Sequence, residues 1–278
     1  MQGKTVVATG ATSGIGEVAA VKLAALGARI VFVARDAQRA EATLAKLERV
    51  APGLGHRFHI ADLSLIAEAR HVGEAIAQAE PRIDALVNNA GAIFSQRRVT
   101  SEGLEMTFAL NHMAYFVLTE ALRERLVASA PARIVSTAST AHAAAKFDPD
   151  DLQCAQGYGG WKAYCRSKLD NILFTRELAR RLAGTGVTAN CLHPGFVASR
   201  FGDEMDGWGR RLLPLGKSLF AISPDDGADT IVYLVSAPEL ATVSGEYFAK
   251  RKIQKPSAVA RDDRAARQLW EASEALAD

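Results

Sequence analysis

Tyr164 and Lys168 stand four residues apart in AYCRSKLDNILF, a stretch with helical apolar spacing. Residues at i and i+4 share one helix face, so the spacing sets a phenol beside an ammonium. A neighbouring cation favours phenolate and lowers a pKa that is ordinarily about 10. The pair is therefore a candidate proton-transfer unit. Alone it reads equally well as a surface tyrosine near a solvated lysine. What gives it chemical meaning is a glycine-rich turn upstream of it, at residues 9–16.

That turn, TGATSGIG, carries Gly10, Gly14 and Gly16 between a β-branched run and a helical pattern. Glycines allow a tight turn and a close backbone approach. The helix that follows offers unpaired N–H groups and its positive dipole end to a pyrophosphate. The spacing is GxxxGxG rather than the GxGxxG of the generic dinucleotide fingerprint. The next apolar run ends in Ala34, Arg35 and Asp36. An acid at this point accepts from the ribose 2′-hydroxyl of NAD, whereas a guanidinium pairs with a 2′-phosphate. Arg35 points to NADP. Asp36 leaves NAD open, although it also makes a natural N-cap for the helix that starts with AQRAEATLAKL.

The elements that must hold these residues alternate along the chain. Strand candidates are TVVAT (5–9), RIVFVA (29–34), HRFHI (56–60), IDALVN (83–88), ARIVST (132–137), VTANCLH (187–193) and GEYFA (245–249). Most are near-continuous apolar runs, the pattern of parallel strands covered on both faces. Helical patterns lie between them at 14–26, 37–50, 64–79, 101–129, 160–183 and 225–236. This alternation predicts a single-domain α/β Rossmann fold over residues 1–278. Its doubly wound parallel sheet has about seven strands in the order 3-2-1-4-5-6-7. Residues 140–159, with Pro149, Gly157 and Gly159, read as a loop. Residues 198–223 mix Trp208, Leu212, Leu213, Leu215, Leu219 and Phe220 with charges, and residues 250–278 form a basic stretch followed by a last helix.

Composition narrows the function classes. The 278 residues are 49% hydrophobic and 23% charged with a net charge of +2, which gives no electrostatic reason for a nucleic-acid partner. Cys154, Cys165 and Cys191 form neither a disulfide framework nor a metal pattern. His112, His142 and His193 do not fall at metal-ligand spacing either. No apolar run reaches bilayer length, and the expected location is cytoplasmic.

TGATSGIG, NNAG at 88–91, Asn111, Ser139 and Tyr164-x-x-x-Lys168, in this order on one βα pattern, resemble the short-chain dehydrogenase/reductase family. Within it the chain is most similar to the retinol dehydrogenase-type branch, which also resembles WW-domain oxidoreductases. DLSL at 62–65, NHMAYFVLT at 111–119, RIVSTASTAH at 133–142, HPG at 193–195 and LWEASEAL near the end carry that closer likeness. The resemblance implies that Gly10, Ser13, Gly14, Ile15 and Gly16 form the cofactor turn. It implies that Arg35 contacts the adenosine phosphate and that Asp62 and Leu63 line the adenine pocket. Asn89, Ala90 and Gly91 then lie along the cofactor, and Pro194, Gly195, Val197 and Ser199 sit by the nicotinamide. Tyr164 becomes the general acid or base, Lys168 its activator and ribose-holding partner, and Ser139 a hydrogen-bond donor to the substrate oxygen. Asn111 holds a water that relays protons. Ala138 replaces the first of the family's two adjacent serines, and Ser136 is an alternative to Ser139 that lies too early.

The implied activity is hydride transfer between NADP(H), with NAD(H) as the alternative, and a small apolar aldehyde, ketone or alcohol. The segment 198–223 would cover the substrate; a lipid-touching amphipathic surface is its rival reading. Trp161 and Trp208 read as substrate-pocket or core residues, and Trp270 as packing for the last helix. A cofactor-binding regulatory protein without turnover and a reductase of ring double bonds are the competing functions. Helices 101–129 and 160–183 pair across homo-oligomer interfaces in many relatives, and the C-terminal stretch would block or redirect such contacts. The branch often carries an N-terminal membrane anchor, which these residues do not display.

Overall fold

In the computed structural model the described residues are 1–195 and 223–278. Val197, Ser199 and all but the last residue of the 198–223 segment fall outside them. The first strand, β1 (Thr5–Thr9), is buried along its whole length. Its side chains alternate between faces, as a strand requires: Val7 belongs to one apolar cluster, and Val6 and Ala8 to the other. Around β1 lie β2 (Arg29–Ala34), β3 (Arg57–Ile60), β4 (Ala85–Asn88), β5 (Ala132–Thr137), β6 (Val187–His193) and β7 (Tyr247–Ala249), all parallel. The sheet order is 3-2-1-4-5-6-7, with one further strand beyond β7.

Helices α1 (Gly14–Ala25), α2 (Ala37–Val50) and α7 (Pro224–Ser236) bury Leu23, Leu47 and Ile231 on one face of the sheet. On the other face α3 (Ile66–Ala79), α5 (Ala114–Ala128), α6 (Gly160–Arg181) and α8 (Asp263–Ala277) bury Ile76, Leu118, Leu173 and Trp270. Strand runs covered by helices on both sides give the parallel, doubly wound architecture. Among the described residues no helix is long and apolar enough to cross a membrane.

Two features depart from the sequence reading. The basic stretch after residue 249 is an eighth strand, β8 (Lys252–Gln254), antiparallel to β7. Lys250 and Arg251 turn the hairpin with φ of 50° and 60°. Such a turn normally uses Asn or Gly, so it left no signal. Lys252 on β8, with Lys250, Arg251 and Lys255 flanking it, then guards the sheet edge against further pairing.

The second departure is in the helix expected over 101–129. It starts only at Met106, as α4 (Met106–Phe108), and passes through a π-helical turn (Ala109–Met113) before α5. The Glu105 side chain sets the start by accepting from the N–H groups of Thr107 (2.9 Å) and Phe108 (2.8 Å). π-turns of this kind cluster at functional sites.

His112, inside that turn, is fully buried between the rings of Phe108 and Phe174, at 5.2 and 6.1 Å. Ser273 Oγ donates to the Leu269 carbonyl, so His112 Nε2 donates to Ser273 Oγ, at 2.8 Å. Burial pushes the imidazole pKa down to about 3. Below pH ~6.5 the unfolded chain therefore binds a proton that the folded chain refuses. Stability falls as pH drops from there toward 3. Between pH 7 and 4.5 the native protein should lose more unfolding free energy than His112→Gln, by a margin on the order of 2 kcal/mol. Equal losses in a thermal scan would show that His112 does not set the acid limb.

Candidate active site

Thr9 closes β1, and its hydroxyl accepts from the N–H groups of Asn89 (2.9 Å) and Ala90 (3.1 Å). The Asn89 amide donates to the Gly10 carbonyl at 3.3 Å and accepts from Thr137 Oγ1 at 3.1 Å. One asparagine thus fastens the ends of β1, β4 and β5. Above it the glycine turn is packed to contact. A Cβ on Gly16 would come within 2.2 Å of the Gly10 carbonyl oxygen and 2.3 Å of Asn89 Nδ2. Gly10 itself has φ +66° and lies against Ala90. The turn therefore delivers α1 end-on at a fixed height. Ser13, its exposed N-cap, makes no side-chain capping bond. The first helical N–H groups have no intrahelical acceptor, so they form an anion cradle beside half-buried Gly14 and Ile15. This cradle and the packed glycines fit the pyrophosphate of a dinucleotide.

At the end of β2, exposed Arg35 follows buried Ala34. Asp36 is engaged locally: its carboxylate accepts from Arg39 N at 2.9 Å and caps α2. Arg35 is thus the cation that directly follows the strand. After β3, Leu63 is buried, and Asp62 accepts from the backbone and hydroxyl of Ser64 at 2.9 and 2.7 Å.

The proton-handling residues converge from β5, the π-turn and α6. Lys168 Nζ is buried and donates to the Thr137 carbonyl at 3.0 Å, which Asn171 Nδ2 also reaches at 3.1 Å. The same ammonium lies 5.7 Å from the ring centre of Tyr164 and 5.8 Å from that of Tyr115. Tyr164 is hydrogen-bonded to Ser139. Gly91 completes the floor, because a Cβ there would sit 3.1 Å from Asn111 Oδ1 and 3.5 Å from Lys168 Nζ. Both amide hydrogens of Asn111 are engaged. The side chain accepts from Ala92 N (2.9 Å) and donates to Ala92 O (2.9 Å) and Ser167 Oγ (3.0 Å). It joins the loop after β4 to α6. Ser136 is buried inside β5, in register with Asn88 and Cys191, and is not the serine that meets Tyr164.

The electrostatics differ from the sequence expectation. With the protein's own groups, burial pushes the Tyr164 phenol up to about 12, opposed by its bond to Ser139. Burial takes Lys168 down to about 7. The ammonium lies by the phenol ring and bonds to Thr137, so desolvation outweighs its pull on the phenol.

Behind this group, Pro194 and Gly195 leave β6, with Gly195 at φ +95°. The loop at 140–159 is pinned rather than loose. Arg166 donates to the Asp151 carbonyl at 2.5 Å and reaches Cys154 Sγ at 3.4 Å. Tyr158 OH donates to the Phe94 carbonyl at 2.9 Å. Cys154, Cys165 and Cys191 are all buried free thiols, each with its pKa raised by burial. Trp270 is core, while Trp161 is 60% exposed, so the core reading does not hold for it. Sequence reasoning passed over Thr9, Tyr115, Thr137, Ser167 and Asn171. Of these, Tyr115 lies four residues from Asn111 and Asn171 three from Lys168, spacings that a search along the helices would have caught.

The short chain dehydrogenase family pattern matches residues 4–208. Human retinol dehydrogenase 14 is 40% identical over 296 residues, covering 99% of this chain and 87% of that protein. An uncharacterised protein from Mycobacterium paratuberculosis has a similar crystal structure, with a TM-score of 0.79 and 30% identity over 99% of this chain and 94% of that one. A short chain dehydrogenase from Burkholderia cenocepacia J2315, solved in complex with NADP, aligns with a TM-score of 0.70 and 29% identity. It covers 89% of this chain and 96% of that one.

Proposed function

Because the chain belongs to the short-chain dehydrogenase family, we propose that it is an NADP-dependent oxidoreductase interconverting an apolar alcohol with its aldehyde or ketone. The observation that carries this reading is the convergence of Tyr164, Ser139 and Lys168 beside a glycine turn built for a dinucleotide. When bound, the nicotinamide supplies the hydride chemistry. The protein's part is to position and polarise. As a carbonyl carbon is reduced, negative charge grows on its oxygen and calls for donors at that point. Ser139 Oγ donates one hydrogen bond, and Tyr164 OH gives the proton as general acid. In the alcohol direction Tyr164 takes the proton back. Lys168 holds the ribose hydroxyls, and the Asn111 clamp keeps Ala92 and α6 at the spacing this requires.

Gly10, Ser13, Gly14, Ile15 and Gly16 would hold the pyrophosphate. Leu63 and Asp62 would flank the adenine, while Pro194, Gly195, Val197 and Ser199 would flank the nicotinamide. Arg35 would pair with the 2′-phosphate. The NADP complex of the Burkholderia relative and the capping role of Asp36 support that choice over NAD. The name of the human relative is a reason to include retinoid-like alcohols and aldehydes among the substrates tried. A cytoplasmic location, with no nucleic-acid partner, belongs to the same proposal and rests on the reduced cysteines and the near-neutral charge.

The cofactor assignment is checked by Arg35→Ala. A charge-assisted phosphate contact contributes ~1.5–3 kcal/mol, so NADPH affinity should fall about tenfold to a hundredfold while NADH affinity stays within about twofold. Equal loss for both cofactors would remove Arg35 from the 2′-position. Consumption of NADPH over a panel of apolar aldehydes and ketones tests the activity itself.

A further inference from the structure

Trp161 occupies the first turn of α6, three residues before Tyr164, and 60% of it is exposed. Its ring centre lies 5.7 Å from that of Tyr164, with 31° between the planes. A single exposed tryptophan is ordinary on a protein surface; what sets Trp161 apart is that its ring lies against the phenol of Tyr164. The residue is also held in place. Gly160 packs so tightly that a Cβ would come 2.3 Å from the Phe94 carbonyl oxygen. Tyr158 OH donates to that same carbonyl, and Lys162 Nζ donates to the carbonyls of Gln156 (2.9 Å) and Gly157 (3.1 Å). The backbone on both sides of Trp161 is thus pinned, and the indole stands as a fixed, solvent-facing plane at the proton donor.

We infer that Trp161 is the specificity-determining wall of the substrate site, stacking on a planar apolar group bonded directly to the reacting carbon. Aryl and conjugated carbonyls, and the matching alcohols, are then the preferred substrates over saturated ones of the same size. Offset or tilted stacking of two π-systems adds attraction beyond the burial that any apolar group gains. The inference rests on the proposed role of Tyr164, since proximity to that phenol is what sets Trp161 next to the reacting carbon.

Benzaldehyde and cyclohexanecarbaldehyde, alike in size but not in planarity, test it. In Trp161→Ala, kcat/KM with NADPH for benzaldehyde should fall about fivefold to tenfold, and that for cyclohexanecarbaldehyde by less than about twofold. Trp161→Phe, which keeps a flat ring, should restore most of the difference. Equal losses for both aldehydes, or no loss for either, overturn the inference. A second readout does not need turnover. Titrated with each aldehyde in the presence of NADP, the emission present in the native protein and missing from Trp161→Phe should be quenched by benzaldehyde alone. Quenching without any turnover would keep Trp161 as the aromatic wall and remove the oxidoreductase reading. Absence of selective quenching removes the wall itself.

Discussion

Tyr164→Phe should lower turnover about 10²–10⁴-fold, the usual contribution of a positioned general acid, while NADPH binds within about threefold of the native affinity. The ring stays, so the packing against Trp161 and the site of the Lys168 ammonium are kept. What disappears is one hydroxyl and its bond to Ser139. Stopped-flow reduction of a responsive aldehyde gives the rate, and fluorescence titration gives the cofactor affinity. A Tyr164→Phe protein that works at full rate would mean that another group supplies the proton. Its pH behaviour is a further mark. A phenol held at about 12 by burial keeps its proton at neutral pH, which suits carbonyl reduction. Alcohol oxidation needs the phenolate and should accelerate as pH rises toward 10, whereas reduction should not.

The second large effect is on stability. Trp270→Ala should cost about 3–5 kcal/mol. The Trp270 ring is 1% exposed, stacked on Phe174 at 5.8 Å and edge-on to Phe116 at 4.9 Å. The Arg181 guanidinium lies 4.4 Å from its centre, and Nε1 donates to Glu274 Oε1 at 2.7 Å. The truncation empties a site bounded by α5, α6 and α8, elements already locked by their own packing, so the hole cannot collapse. For a chain of this size the loss corresponds to roughly 6–15 °C in melting temperature. Trp161→Ala, at an exposed position, should shift it by no more than about 2 °C. If the two variants melt alike, α8 is not part of the cooperative core.

Much of this was legible in the residues, and for stated reasons. Strands β1, β2, β5 and β6 are buried on both faces, so apolar residues predominate along them. The i, i+4 geometry of α6 needs no tertiary information, so Tyr164 and Lys168 declared themselves. The glycine turn was readable because only glycine tolerates the contact between residues 10 and 16. What escaped depends on partners distant in sequence. The direction of the Lys168 ammonium is set by the Thr137 carbonyl, 31 residues away. The duty of the Asn111 amide is set by Ala92 and Ser167. The sign of the Tyr164 shift is set by burial that no local pattern encodes. Strand β8 escaped because two basic residues take a conformation usually left to glycine.

Helix α8 has a consequence for how copies of this chain could join. It packs on α6 and inserts Trp270 between Phe116 of α5 and Phe174 of α6, so the chain itself covers that surface. Two molecules could not simply press these helices together. Any contact through them would first have to displace α8 and expose Trp270.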